Sequence, residues 1–197
     1  MKTTLNEIRK HGPCESGWTK LLVHLGKTRA DDEPVSILTI LDSNGLNDAI
    51  WCLRAVSGHD REIRLFAVWC ARQVEHLNND PRVKACNDTT ERFAHGLATE
   101  HELTSARVAV LAAAEAADGD AVLAAARVAA RAAARAAAWV ADGDAAWVAV
   151  LAAAGDAAGA AAWVAAGVAA WAAARSAQEK ELRRICEDVN AALAKEI

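Results

Sequence analysis

Residues 118–144 read DGDAVLAAARVAARAAARAAAWVADGD, and this stretch decides the fold class of the chain. Alanine is the strongest helix former, and no helix breaker interrupts the run between the two DGD triplets. The glycine of each triplet suits the left-handed position that ends a helix, and the aspartate after it suits the cap of the next helix. The pattern therefore predicts a helix over about 121–141 with defined ends.

The glycine-aspartate junction occurs again at 155–156, which divides the alanine-rich part into separate helices. We expect them at about 101–117, 121–141, 145–154 and 157–193. Alanine faces let two helices approach closely, but each alanine buries little apolar area. This composition favours a homo-oligomer, because thin alanine helices are weakly stabilised by themselves.

Residues 1–100 carry repeated helix start signals and no sustained apolar alternation that would indicate a strand. The spacing of a capping box occurs at Thr4–Glu7 and at Thr99–Glu102. Pro34 suits the first position of a helix through ILTIL, and Asp80–Pro81 suits a stop followed by a restart. We therefore predict an all-α protein, a multi-helix bundle of helical hairpins with an alanine-rich C-terminal half and no sheet.

The change of composition near residue 100 predicts two regions of the chain. The first is an N-terminal helical region at 1–100, and the second is an alanine-rich helical bundle at 101–197. Because a single core is within reach of a chain of this length, we expect the two regions to pack as one unit.

Charge, cysteine usage and hydropathy narrow the function classes. The 197 residues carry a formal net charge of −4, which argues against a general nucleic-acid binder, because such proteins normally have a large basic excess. The five cysteines form no CxxC pair, so we expect reduced thiols in the cytoplasm. The N-terminus has no apolar segment typical of a secretory signal. The uncharged stretch 157–174 lacks leucine, isoleucine and phenylalanine, which favours a soluble helix over a membrane span.

The motifs of common enzymes are absent from the sequence. It contains no HExxH, GxxxxGK[ST], GxSxG or GxGxxG pattern, so we expect no catalytic residues and no cofactor. His95 and His101 form a candidate metal cluster with Glu91, Glu100 and Glu102. A polar helix boundary is the simpler interpretation of this cluster, and no metal site is expected.

Arginine and tryptophan recur at every fourth position on two of the predicted helices. The first carries Arg127, Arg131, Arg135 and Trp139, and the second carries Trp163, Gly167, Trp171 and Arg175. A step of four residues turns by about 40° around a helix, so each set follows one ridge. Like charges four apart destabilise a helix, and no acidic residue lies three or four places from the first three arginines.

Three interpretations of the arginine ridge stay open. In the first, the arginines are solvated polar groups that keep an alanine helix soluble. In the second, they pair with the aspartates of the junctions and stack on indole. In the third, they bind an anionic ligand whose ring stacks on tryptophan. The last is the usual chemistry for a phosphate joined to a base or nucleoside. The candidate ligand-binding residues are then Arg127, Arg131, Arg135, Trp139, Trp163, Trp171 and Arg175.

The tryptophans of the first half have simpler interpretations. Trp18 lies on the apolar face of a predicted helix. AIWCLRAV at 49–56 recurs as AVWCARQV at 67–74, which predicts a helical hairpin with Trp51 and Trp69 near its seam.

Two arginines, Arg61 and Arg64, stand in the first turn of a predicted helix, where acidic residues are more favourable. A structural role is favoured for both. Pairing with Asp48 or binding of a partner are the alternatives.

Four segments and the tail after them carry a resemblance to known proteins. They are PCESGWTKLL at 13–22, LTILDSNGLNDAIWCLRAV at 38–56, GHDREIRLFAVWCARQV at 58–74 and ERFAHGLATEHEL at 91–103. With these, nearly the whole chain resembles a group of Ala/Trp/Arg-rich proteins of phage and bacterial genomes. Residues 58–175 loosely resemble alanine-rich helical proteins grouped as immunity proteins. The resemblance implies a setting of conflict between phage and host, and it supplies no catalytic residues.

The residues and the resemblance together lead to an expected function. We expect a non-catalytic, phage-type anti-defence protein that sequesters a nucleotide-derived immune signalling molecule in an Arg/Trp-lined site, in the host cell cytoplasm. Its partner is then a small anionic nucleotide-like ligand, with no nucleic acid and no membrane. The alternatives are an immunity-type protein that neutralises a toxin or defence protein by direct contact, and a structural oligomeric helical module.

Overall fold

The computed structural model describes residues 1–116, residue 133 and residues 168–195. The helices in these ranges are α1 (Leu5–Lys10), α2 (Glu15–Leu25), α3 (Ile37–Asn44), α4 (Leu46–Cys52), α5 (Asp60–Arg72), α6 (Pro81–Ala94), α7 (Glu100–Ala116) and α8 (Val168–Lys195). Short 3-10 turns follow α4 at Leu53–Ala55 and α5 at Glu75–Leu77. The all-α class predicted from the sequence is confirmed. Apart from Ala133, which is helical, the helices predicted at 121–141 and 145–154 lie outside the described residues.

A small sheet is the departure from the predicted architecture. Strands β1 (Lys2–Thr4) and β2 (Pro34–Ser36) pair antiparallel, with Thr3 opposite Val35. The expectation of no sheet is therefore wrong at this point, as is the prediction that Pro34 begins a helix. Ser36 is the cap of α3 instead, and its Oγ accepts a hydrogen bond from the Leu38 amide at 3.1 Å. Strands of this length are too short to show alternation, and a two-stranded edge tolerates proline.

The chain divides into two compact units. The first comprises Met1–His59 with Glu179–Ile197, and the second comprises Asp60–Gln178. The change of composition near residue 100 falls inside the second unit, between α6 and α7. The boundary in composition therefore does not coincide with the boundary between the two units. Alanine content affects how closely helices approach, and it does not determine where a core ends.

The core of the first unit is aliphatic. Its fully buried side chains include Leu5, Ile8, Ile37, Ile40, Ile50 and Leu53, with Leu182 from α8. Two polar contacts add to this packing: the buried Thr3 hydroxyl donates to the Ala55 carbonyl, and Arg183 of α8 pairs with Asp42 at 2.5 Å. The first contact joins β1 to the 3-10 turn after α4, and the second joins α8 to α3.

The core of the second unit mixes large and small side chains. It contains Val83, Cys86, Leu103, Val110, Ala114 and Ala133, with Phe93 and Ala106 packed against it. The Cys86 thiol donates to the Ala133 carbonyl at 3.6 Å. Small residues at this seam let helix backbones approach closely, which is how an alanine-rich chain forms a core at all.

The capping box predicted at the start of α7 is confirmed. The Glu102 amide donates to Thr99 Oγ1 at 3.2 Å, and the Thr99 amide donates to Glu102 Oε2 at 2.7 Å. Each residue satisfies a backbone donor of the other, so the beginning of α7 is determined by the sequence.

One arginine joins α5 to α6 within the second unit. Arg72 contacts Asp88 at 2.9 Å, Glu91 at 2.5 Å and Glu75 at 3.4 Å. Glu75 also accepts from the amide of Asn87, which is fully buried. The contacts to α6 come from one guanidinium, so its planar fork orients the two helices even though each pair by itself contributes little.

Leu103→Ala is expected to lower the free energy of unfolding by about 2–5 kcal/mol, because truncation of a buried leucine leaves a cavity. Leu103 is 1 % exposed, whereas Leu97 is 67 % exposed. Leu97→Ala is therefore the matched control, with a change of at most about 0.5 kcal/mol. Urea denaturation measures both variants, and equal effects would contradict the position of Leu103 in the core.

Asp80 caps α6, and the side-chain hydrogen bond from Arg82 lowers the pKa of the Asp80 carboxyl from 3.8 to about 2. Because the folded pKa lies below the unfolded one, this carboxylate stabilises the fold above about pH 4, and the contribution is lost as the pH falls towards 2. Asp80→Asn removes this titration. The difference in free energy of unfolding between wild type and variant should therefore shrink from about pH 4 to about pH 2. Guanidinium denaturation at several pH values between about 2 and 4 measures this difference in free energy of unfolding. A difference that stays constant would show that Asp80 does not contribute to the pH dependence of stability in this range.

Candidate functional site

The structure describes one end of the predicted Arg/Trp site. Trp171 and Arg175 lie on α8 within the second unit. The other candidate residues, Arg127, Arg131, Arg135, Trp139 and Trp163, lie outside the described residues. Trp171 and Arg175 are therefore the two candidate residues whose geometry the structure gives.

Trp171 and Arg175 are four residues apart, so both side chains lie on the same face of α8. The Arg175 Cζ lies 5.8 Å from the centroid of the Trp171 ring, within the range of a cation–π contact. Nη1 of Arg175 also donates to Oε1 of Gln178 at 3.1 Å, and Gln178 is 2 % exposed. The guanidinium is thus held between a buried amide and an indole.

The two members of this pair differ in exposure. Trp171 is 47 % exposed, which leaves much of an aromatic ring in contact with solvent, whereas Arg175 is half-buried. Burial lowers the pKa of Arg175 from its ordinary value, and the nearby Cys70 acts in the opposite direction. The group stays charged at neutral pH because its ordinary pKa is so high. A partly desolvated cation attracts an anion more strongly than one in bulk water.

The arginines at the start of α5 make contacts within the second unit. Arg61 Nη2 lies 3.2 Å from His95 Nδ1, and the Arg64 Cζ lies 5.2 Å from the centroid of the Phe93 ring. The Asp48 carboxylate, considered as a partner from the sequence, accepts from the Asn44 amide at 2.8 Å. The contacts of Arg61 and Arg64 join the first part of α5 to the C-terminal end of α6, which agrees with the structural role favoured from the sequence.

In the part of the chain that the structure describes, no group of three or more His, Cys, Asp or Glu residues could hold a metal ion. No helix in the same ranges is long and apolar enough to cross a membrane. Two members of the candidate metal cluster predicted from the sequence have other contacts. His95 contacts Arg61, whereas Glu102 belongs to the capping box of α7.

Four of the five thiols are buried, and Cys14 is exposed. Burial is the main cause that raises the pKa of Cys52 and of Cys86 from 9.0 to about 12, and that of Cys186 to about 11. These three thiols are therefore protonated at neutral pH and poor nucleophiles.

A cleft in the first unit was not predicted from the sequence. It has a volume of about 170 Å³ and is lined by residues of α1 to α4 and of the loop before α2. Its walls include Trp18, Trp51 and Asp48. Trp18 was assigned to an apolar face and Trp51 to a helix seam, because spacing along one helix does not report that two indoles and a carboxylate share a cleft. The sequence feature that could have indicated the cleft is the pair Asn44 and Asp48, two polar residues that lie four apart across the junction of α3 and α4.

Comparisons with protein-family models, with curated proteins and with solved structures return no match. The resemblance to phage and immunity proteins therefore stays an expectation from the sequence.

Thiol labelling tests the burial of the cysteines. A neutral aromatic disulfide reagent should label Cys14 rapidly in the native protein and the four buried thiols only after denaturation, because labelling requires access and a thiolate. Cys14→Ser should remove the fast reaction. Fast labelling of more than one thiol in the native wild type would contradict the burial that the structure gives them.

Proposed function

We propose that this chain is a non-catalytic binding protein that sequesters a small anionic ligand carrying a planar ring. The class of ligand is a nucleotide-derived immune signal, and the setting is phage anti-defence. The observation that carries the proposal is the Trp171–Arg175 pair, with its indole 47 % exposed and its guanidinium half-buried beside the ring.

The two side chains match the two parts of such a ligand. The exposed indole offers a face on which a base stacks, and the guanidinium beside it carries the positive charge that attracts a phosphate. The hydrogen bond from Arg175 to the buried Gln178 restricts the orientation of the guanidinium before a ligand arrives. A restricted donor loses less conformational entropy on binding, which favours affinity.

The binding free energy expected from Trp171 and Arg175 alone is too small for tight binding, so the site requires further residues. Stacking of a base on an aromatic side chain contributes about 1–3 kcal/mol. One hydrogen bond to a charged group contributes about 1.5–3 kcal/mol. Together they bracket the binding free energy of a millimolar Kd, about 4 kcal/mol, and stay short of that of a micromolar Kd, about 8 kcal/mol. The proposal therefore includes the rest of the predicted site, Arg127, Arg131, Arg135, Trp139 and Trp163.

The proposal includes no chemical step. The sequence lacks the common catalytic motifs, and a protein that only holds its ligand needs none of them. Sequestration requires instead that the ligand be released unchanged. This requirement separates the proposal from an enzyme that degrades the same molecule.

Arg175→Gln is expected to weaken binding of a cyclic dinucleotide about tenfold or more in calorimetry, because a charge-assisted contact is lost. Arg184→Gln is the matched control on the same helix, because Arg184 is exposed and pairs with Glu181 and Asp188. Heat denaturation of the complex should release the dinucleotide intact. Equal binding by the two variants would refute the site, and a modified dinucleotide would refute sequestration.

A second candidate function is direct neutralisation of a toxin or defence protein. It is favoured by α7, on which Val108 is 63 % and Leu111 is 40 % exposed, because exposed apolar side chains close together are typical of protein interfaces. This candidate predicts a stable complex in a pull-down that Val108→Asp weakens and Arg175→Gln leaves unchanged.

A further inference from the structure

The cleft in the first unit is not used by the proposed function. It is lined by Trp18 and Trp51 as its aromatic walls, by Asn44 and Asp48 as its polar groups, and by Cys14 and Cys52. Cys14 is exposed and Cys52 is buried, so the cleft extends from the surface inwards.

Asp48 supplies the charge of the cleft. Its half-buried carboxylate accepts one hydrogen bond, from Nδ2 of Asn44 at 2.8 Å. The same Asn44 nitrogen donates to the Gly17 carbonyl at 2.8 Å, which holds the amide in place. Among the residues that the structure describes, no lysine or arginine makes an ion pair with Asp48. The carboxylate thus retains acceptor capacity for a cationic ligand.

The position of this carboxylate depends on a glycine. A Cβ at residue 17 would lie 2.7 Å from Oδ2 of Asp48, closer than atoms in contact allow. Glycine at this position lets α2 approach the carboxylate closely. The chain therefore places Asp48 against the backbone of α2, facing the cleft that Trp18 also lines.

The aromatic walls add a second attraction for a cation. Indole has the most favourable ring face for a cation, and two of them line the cleft. Arg54 stacks on Trp51, with its Cζ 4.2 Å from the ring centroid, so one face of this indole already holds a cation, although Arg54 does not itself line the cleft. The cation–π attraction for a ligand is therefore assigned to Trp18, and Trp51 serves as an apolar wall.

The volume sets the size of the ligand. An apolar cavity of about 150 Å³ accepts one benzene-sized molecule. The cleft has about 170 Å³, so it accommodates one ring with a short arm. A larger molecule such as a dinucleotide does not fit this volume.

We propose that the cleft of the first unit binds a small organic cation, namely a single ring that carries a protonated amine on a short arm. The ring lies against Trp18 and Trp51, and the ammonium group donates to Asp48. A carboxylate or phosphate ligand is excluded by like charge at Asp48. A neutral ring binds the apolar walls alone and is held less tightly.

The thiol of Cys52, which lines the cleft, is kept protonated mainly by burial. Burial is the largest cause that raises its pKa to about 12; the charge of Asp48 acts in the same direction and Arg54 in the opposite one. The Asp48 charge that disfavours a thiolate at Cys52 is the charge that would attract an ammonium group.

The test compares ligands that differ in one group. Tryptophan fluorescence of the full chain is titrated at pH 7 with 2-phenylethylamine, 2-phenylethanol, phenylacetate and butylamine. The wild type should bind the amine with the ring about tenfold more tightly than the alcohol, and phenylacetate should not bind. In Asp48→Asn the preference for the amine over the alcohol should disappear.

Asp32→Asn is the matched control in the same unit. Asp32 accepts from the Asn6 amide at 2.9 Å on the surface, and asparagine retains an oxygen that accepts this bond, as it does at position 48. This variant should keep the preference of the wild type. A second readout is the labelling rate of Cys14, which 2-phenylethylamine should slow in the wild type and not in Asp48→Asn.

Four results would overturn the proposal. The first three are equal binding of amine and alcohol by the wild type, an unchanged preference in Asp48→Asn, and no saturable binding of 2-phenylethylamine. Butylamine bound as tightly as 2-phenylethylamine would also overturn it, since the cleft would then fit a lysine side chain of a partner. None of these results bears on Arg175, so failure here and failure of the nucleotide site are distinguishable.

Discussion

The constraint on which the described helices depend is that the first amide groups of a helix have no partner within it. Short polar side chains satisfy them. Oxygens of Thr4, Ser36, Asp80 and Thr99 accept from backbone amides at 3.1, 3.1, 2.9 and 3.2 Å respectively. Helices of six to fourteen residues are marginal in isolation, so α1, α3 and α6 begin where these caps allow and persist because they pack.

Packing in turn depends on few large side chains. In the second unit, Leu103 and Val110 meet Ala114 and Ala133 in one core, with a cysteine thiol bonded to a backbone carbonyl. Small residues let two helix backbones approach closely, but each of them buries little apolar area. Truncation of one large residue therefore removes a larger share of the stabilisation than it would in an aliphatic core, which is why the leucines and valines of this unit are its sensitive positions.

The two candidate sites combine indole with charges of opposite sign. On α8 an arginine stacks on Trp171, which suits an anionic ligand that carries a ring. In the first unit Asp48 shares a cleft with Trp18 and Trp51, which suits a cationic one. In both, a side-chain amide holds the charged group: Gln178 for Arg175 and Asn44 for Asp48. A chain with a small net charge can in this way carry two local sites of different selectivity.

Local sequence patterns specify the helical class and several helix boundaries, because caps and breakers act over three or four residues. Thr99 with Glu102 and Asp80 with Pro81 are examples, and so is the spacing that brings Arg175 to Trp171. The entry of Pro34 into a strand depends instead on a long-range contact, since β2 forms only when β1 pairs with it. The same holds for the cleft, because Trp18, Asp48 and Trp51 come from two helices and become one site when Gly17 lets the backbone of α2 approach the carboxylate. Local patterns carry the information for helix ends, whereas a site between helices depends on contacts that spacing along the chain does not encode.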